Sequence, residues 1–198
     1  MQELATPISQ KFHDALAYAS AMHAGQSRKG VQIPYVAHLL TVAGIVLEAG
    51  ADEDEAIAAL LHDGPEDQGG TERLNDIRRL FGDRVAAIVD HCSDTFEMPK
   101  PPWVARKAAY AERLAHADVS TLLVSVADKL HNAQSTLRDL SGSPEAQTVW
   151  ARFSATREQT IGNYRSLIAA YRRAATDRRR LPLVAELERT VDAMESNF

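Results

Sequence analysis

Apolar residues in this 198-residue chain recur at steps of three and four almost from end to end, and no stretch alternates with period two. That period lays one face of a helix on a core, whereas a sheet needs alternation. The reading is an all-α fold. Phe12, Leu16, Ala19 and His23 share a face of a first helix over about residues 8–24. The turn GQSRKGVQIP leads to a second helix over about 35–49, closed by Gly50. Asp52 caps a third helix with an acidic first turn, as the helix dipole favours. TERLNDIRRLF and DRVAAIVDHCSDTF follow, separated by Gly82. Beyond the proline loop EMPKPP come helices from Trp103 to about Ala117 and over about 119–140. Pro144 suits the first turn of a long helix reaching about Ala175, and a last helix follows the basic tract DRRRLP.

Such a chain is long enough to bury a polar site inside its core. Its single cysteine, Cys92, excludes an internal disulfide and a zinc site built from several cysteines. The formal net charge of -5 gives no bulk attraction to nucleic acid. No apolar run approaches the roughly 18 residues that span a membrane. The start, MQELATPISQKFHD, lacks an apolar signal-type core. A cytoplasmic protein with neither membrane nor nucleic-acid partners is expected, and a homo-oligomer is compatible with the sequence.

The stretch LLHDGPEDQGG, residues 60–70, runs from core leucines straight into His62, Asp63, Glu66 and Asp67. On a continuous helix His62 and Glu66 would share a face, as would Asp63 and Asp67. Pro65 removes a backbone donor and disfavours helical geometry at Gly64, so the helix is expected to end or kink here. His38 lies on an otherwise apolar helix face, in PYVAHLLTVA. Asp128 follows an apolar run in LVSVADKLHNA, with Asn132 one turn later. A semi-buried aspartate needs a partner, and a helix cap, a lysine or a metal ion would each serve. Two imidazoles and two carboxylates from three helices suit a borderline divalent cation.

The order His38, then His62–Asp63, then Asp128 resembles the metal-binding pattern of the HD-domain phosphohydrolase superfamily. More narrowly, HAGQSRKGVQIPYVAH, AALLHDGPED, FGDRVAAIVDHCSDT and VADKLHNA resemble successive motifs in the hydrolase domain of the RelA/SpoT alarmone enzymes, over about residues 10–140. The chain has no room for the nucleotide-synthesising domain of the long members, so the likeness is to a small alarmone hydrolase. The resemblance implies an HD-type hydrolase core over 1–140, with 141–198 as C-terminal helices packed on it. It implies removal of the 3′-pyrophosphate from a guanosine or adenosine tetra- or pentaphosphate, with Mn2+ as the usual metal. His38, His62, Asp63 and Asp128 match its metal ligands, and Glu66 and Asp67 match its catalytic acidic pair. Arg28 and Lys29 match its nucleotide-pocket pair, and Asn132 a polar residue near the sugar. Gly64–Pro65 and the lack of a proline after His38 depart from the pattern. The alternatives are an HD-type phosphohydrolase of another nucleotide and a non-catalytic nucleotide-binding module.

Other residues read more plainly. Lys129 is ranked low because a helix turns its side chain about 100° from Asp128. His131 reads as surface or helix packing. Lys100, Arg106, Lys107, Arg152 and Arg157 read as solvated, with phosphate contact as the alternative. Tyr35, His23 and Gln26 are expected to pack or hydrogen-bond near the site. Trp150, Phe153, Tyr164 and Leu167 read as core or as a subunit contact. Cys92 is not expected to react, and RRAATDRRR reads as a solvated charge run.

Overall fold

The computed structural model describes residues 7–97, 99–174 and 178–197, and among these every regular element is a helix. The order is α1 (Gln10–Met22), α2 (Val36–Glu48), α3 (Glu53–Leu61), α4 (Gly64–Asp67), α5 (Gly70–Phe81), α6 (Asp83–Cys92), α7 (Trp103–Leu114), α8 (Val119–Gly142), α9 (Ala146–Trp150), α10 (Arg157–Arg173) and α11 (Leu181–Asn197). Local chemistry sets the boundaries. Asp52 accepts from the Glu55 amide while the Glu55 side chain accepts from the Asp52 amide, a reciprocal cap that starts α3. Asp118 accepts from the amides of Ser120 and Thr121 and starts α8. Gly82, at φ +95°, ends α5 and opens α6 in one residue, a backbone state that side chains with a Cβ rarely adopt.

Two apolar clusters share α8. One packs α1, α2, α3, α5 and α6 around Leu39, Ile57, Leu60, Leu61 and Ile77, and takes Leu123, Val124 and Ala127 from α8. The other packs α7, α9, α10 and α11 around Leu114, Leu140, Leu167 and Tyr171, and takes Leu122, Val126 and Leu130 from α8. Helix α8 is thus apolar on two sides, and its last turn crosses the expected 140/141 division.

One expectation is corrected. The single long helix over about 144–175 is two: α9 stops at Trp150, and α10 begins afresh at Arg157. Thr156 caps α10, and the Gln159 side chain returns the bond to the Thr156 amide. Pro144 precedes the α9 cap, Glu145, rather than standing in a first turn. Ala175 lies outside the described residues, as do the first six residues, Met98, and part of the RRAATDRRR tract.

Candidate active site

The chain bends at Pro65 as expected. Helix α3 ends at Leu61, and a four-residue turn, α4, restarts at Gly64 with Pro65 in its first turn. This bend delivers His62 and Asp63 on one side and Glu66 and Asp67 on the other. Gly64 is buried, and a Cβ there would lie 2.7 Å from the Met22 Cε. The glycine lets α1 approach the bend closely.

His38 from α2, His62 and Asp63 from the bend, and Asp128 from α8 meet in one small volume. One ligand atom from each of His38, His62 and Asp128 lies within 4.8 Å of the others. Asp63 Oδ2 adds a fourth side, 3.3 Å from His38 Nε2 and 3.1 Å from His62 Nε2. Asp128 Oδ1 stands 3.2 and 3.6 Å from the same two nitrogens. Both Nε2 atoms are buried, and neither is aligned for a hydrogen bond among the described residues. The His62 Nδ1–H donates to the Ala59 carbonyl at 2.8 Å, which leaves a lone pair on Nε2 to face the shared volume. Two buried Nε2 atoms, that of His62 with its lone pair and that of His38 able to present one, beside two carboxylates, fit a divalent cation.

Electrostatics agree. Burial pushes the Asp63 carboxyl up, but His62 and His38 outweigh it and hold it well below the usual carboxylate range. Burial also opposes ionisation of Asp128, and Lys129 and the histidines reverse that. Burial pulls the His62 imidazole down, and the two carboxylates raise it well above the ordinary histidine value. A bound cation would take the place of that proton.

Around this core the side chains form directed bonds. The Tyr35 hydroxyl donates to Asp63 Oδ2 at 2.6 Å, and burial followed by Asp63 pushes its pKa up, so it stays a donor. Asn132 donates through Nδ2 to Asp128 Oδ1 and accepts through Oδ1 from Arg28. That amide orientation is forced, because arginine only donates and a carboxylate only accepts. The Arg28 guanidinium sits 5.6 Å over the Tyr35 ring. Asp67 accepts from Gln26 Nε2 at 2.8 Å, and Gln26 Oε1 in turn faces His23 Nδ1 at 2.7 Å and accepts from Gln68 at 2.8 Å. Desolvation in the cleft, then the Asp63 carboxylate, raise the Asp67 pKa, while the Gln26 bond works the other way. Glu66 accepts from Lys100 Nζ at 2.9 Å and from the Asp94 amide at 3.3 Å.

A cavity of about 580 Å³ lies beside this cluster, separated from it by Tyr35, Asn132 and Lys129, which bond to Asp63 and Asp128. Arg28, Lys29, Lys107 and Lys129 line its cationic part, and Trp103, Phe153 and Tyr164 supply an aromatic part. Eight of the nine candidate site residues are therefore metal-facing groups or cavity lining; Glu66, on the same bend, is held instead by Lys100 and the Asp94 amide outside the lining.

Several side chains lie elsewhere than expected. Lys129 ion-pairs with Asp128 Oδ2 and lines the cavity, because a four-carbon stem spans the 100° that a short side chain would not. Lys107 and Arg106 are not plainly solvated. Both bind the buried Asp94 carboxylate, Lys107 at 2.7 Å, and Lys107 reaches the cavity. Arg152 pairs with Asp139 at 2.8 Å, and Arg157 donates to the Glu195 carbonyl at 2.7 Å. Of the two readings for His131, surface or helix packing, the second holds: it is buried against His38. Cys92 is buried, which pushes its thiol pKa up and keeps it unreactive. Trp150 and Leu167 are core, whereas Phe153 and Tyr164 also face the cavity. The far wall, from residues 153–155 and from α10, lies beyond the stretch that carried the resemblance.

An all-helical bundle presenting two histidines and two aspartates in this order defines a class, and the chain matches the family model described as HD domain over residues 15–161. It belongs to the HD-domain family. Among its relatives is the guanosine-3′,5′-bis(diphosphate) 3′-pyrophosphohydrolase MESH1 of Drosophila melanogaster, 36% identical over 140 residues that cover 69% of this chain and 73% of that protein. A GTP pyrophosphokinase of Myxococcus xanthus is 34% identical over 139 residues, 67% of this chain but only 18% of that longer protein. A solved structure described as a metazoan ortholog of SpoT that hydrolyzes ppGpp superposes with a TM-score of 0.73 at 30% identity, covering 94% of this chain and 96% of that one.

Proposed function

We propose that this protein is a Mn2+-dependent hydrolase that releases pyrophosphate from the 3′ position of a guanosine or adenosine tetra- or pentaphosphate alarmone. The observation that carries the reading is the meeting of His38, His62, Asp63 and Asp128 at the edge of a cavity bearing Arg28, Lys29, Lys107 and Lys129. The activity named for the MESH1 relative and for the structural neighbour supports it.

In this reading His38, His62, Asp63 and Asp128 hold the ion. When bound, a divalent cation lowers the pKa of a ligated water and offsets charge on phosphate oxygens. The chain's own residues do the rest. Arg28 and Lys29 hold the nucleoside, and Asn132 ties Arg28 to Asp128, so base position and metal edge are set together. Lys107 and Lys129 offer positive charge to the pyrophosphoryl group as it passes to water. Asp67 faces the cavity with a raised pKa and takes the proton of the attacking water. Glu66, anchored by Lys100 and the Asp94 amide, orients that water. Water adds to the phosphorus next to the ribose, the bond from phosphorus to the 3′ oxygen breaks, and that oxygen leaves protonated.

The division into a catalytic core over 1–140 and packing helices over 141–198 goes with this proposal, with the addition that the latter supply the cavity's far wall. So does a cytoplasmic site of action. Among the described residues no helix is long and apolar enough to cross a membrane.

The test is a nucleotide panel with Mn2+ and product identification. Free pyrophosphate from a 3′-pyrophosphorylated nucleotide is expected. Orthophosphate from a monophosphate would transfer the chain to another HD-type activity. Metal binding with every nucleotide left intact would make it a binding module.

A further inference from the structure

His131 and His38 place their Nδ1 atoms 2.6 Å apart, with rings stacked at 4.9 Å and 23°. Both are buried, His38 at 1% and His131 at 9% exposure, so water does not serve this bond. Two neutral imidazoles in such contact share one proton, and either nitrogen can carry it. With the proton on His38 Nδ1, the His38 Nε2 presents a lone pair to the volume it shares with His62, Asp63 and Asp128. With the proton on His131 Nδ1, His38 Nε2 carries its own N–H, 3.2 Å from Asp128 Oδ1 and 3.3 Å from Asp63 Oδ2. Each state holds two ring protons, but the second carries on His38 Nε2 the proton that the first carried on His131 Nε2, so passage between them also exchanges a proton with solvent at each Nε2. His62 has no such freedom, because its Nδ1 faces a carbonyl that only accepts.

We propose that His131 is a positioning residue for the metal centre: it receives the His38 Nδ1 proton bond when the ion is held, and donates to the same nitrogen when it is not. This rests on the metal-binding half of the function proposed above. A side chain with only a donor at that point would force an N–H toward the ion, and one with neither would leave His38 Nδ1 buried and unpaired.

The test compares wild type, His131→Phe and His131→Asn by calorimetric titration with Mn2+ alone. Phenylalanine keeps the stacked ring and loses the nitrogen. Asparagine places an amide oxygen near the Nδ1 position. Mn2+ affinity is expected to fall by about 10- to 100-fold in His131→Phe and to recover in His131→Asn. In parallel, 15N spectra of histidine-labelled wild type loaded with diamagnetic Zn2+ are expected to show His38 protonated at Nδ1 and His131 at Nε2. This measurement stands even if His131→Phe does not fold. Equal Mn2+ affinity in wild type and His131→Phe, failure of His131→Asn to recover, or an unprotonated His38 Nδ1 would each overturn the proposal while leaving the metal site intact. A wild-type protein that binds no divalent ion would overturn both together.

Discussion

At the scale of single residues, the two neighbouring acids of the bend have different surroundings. Glu66 is held by Lys100 and a backbone amide, whereas Asp67 depends on one neutral amide, Gln26. Glu66→Gln keeps the shape but turns an amide toward the Lys100 ammonium. Hydrolysis is expected to fall by about 100-fold or more, with metal content unchanged; wild-type turnover with Mn2+ would remove Glu66 from its role. Gln26→Leu acts on Asp67 instead. The Gln26 bond favours the charged carboxylate, so its loss raises a pKa that is already raised. A base must be deprotonated to act, so the acid limb of the kcat/KM profile should move to higher pH. A limb that stays put, or moves down, would show that Asp67 is not the base. Spacing turns Lys129 away from the site and leaves His131 between surface and packing for one reason: it says where a Cα points, while a long stem and a buried ring are placed by what surrounds them.

At the scale of elements, the turn between α1 and α2 carries the nucleotide-facing pair. It is closed by the Arg28 amide donating to the Ile33 carbonyl at 2.8 Å and by a bridge between Ser27 and Pro34. Gly30 sits in it at φ +77°, and a Cβ there would come within 2.5 Å of Arg152 Cδ, whose guanidinium is tied to Asp139. Gly30→Ala is therefore expected to cost about 1–2 kcal/mol from the left-handed backbone alone. It should also displace Arg28 and Lys29, so KM for the nucleotide should rise more than kcat falls. Denaturant melts and Michaelis curves check both. The bend at Pro65 was readable because proline has a fixed backbone consequence. The break between α9 and α10 was readable in principle, since Thr156 and Gln159 form a capping pair, but a helical period on both sides masked it.

At the scale of the whole molecule, the site is a junction. His38, His62 with Asp63, and Asp128 come from α2, the α3–α4 bend and α8, and α8 also belongs to the second cluster. An ion held by all three would tie together elements that otherwise meet through apolar packing and a few polar bonds, His38 with His131 and Ser120 with Glu55 among them. Mn2+ is expected to raise the melting temperature, with about 2.7 kcal/mol of stabilisation at one hundred times its dissociation constant. Asp128→Ala should abolish that rise and metal-dependent turnover together. An unchanged rise would place the ion elsewhere. From the sequence alone came the helical class and the bend at Pro65, because these follow from periodicity and proline geometry, while His38, His62, Asp63 and Asp128 were pointed to as the proposed ligands by the family resemblance. Only the tertiary structure decided that α10 walls the cavity, that Lys129 folds back onto Asp128 and that His131 meets His38. Those contacts join residues distant in the chain or turned by packing, and packing is settled by the whole core at once.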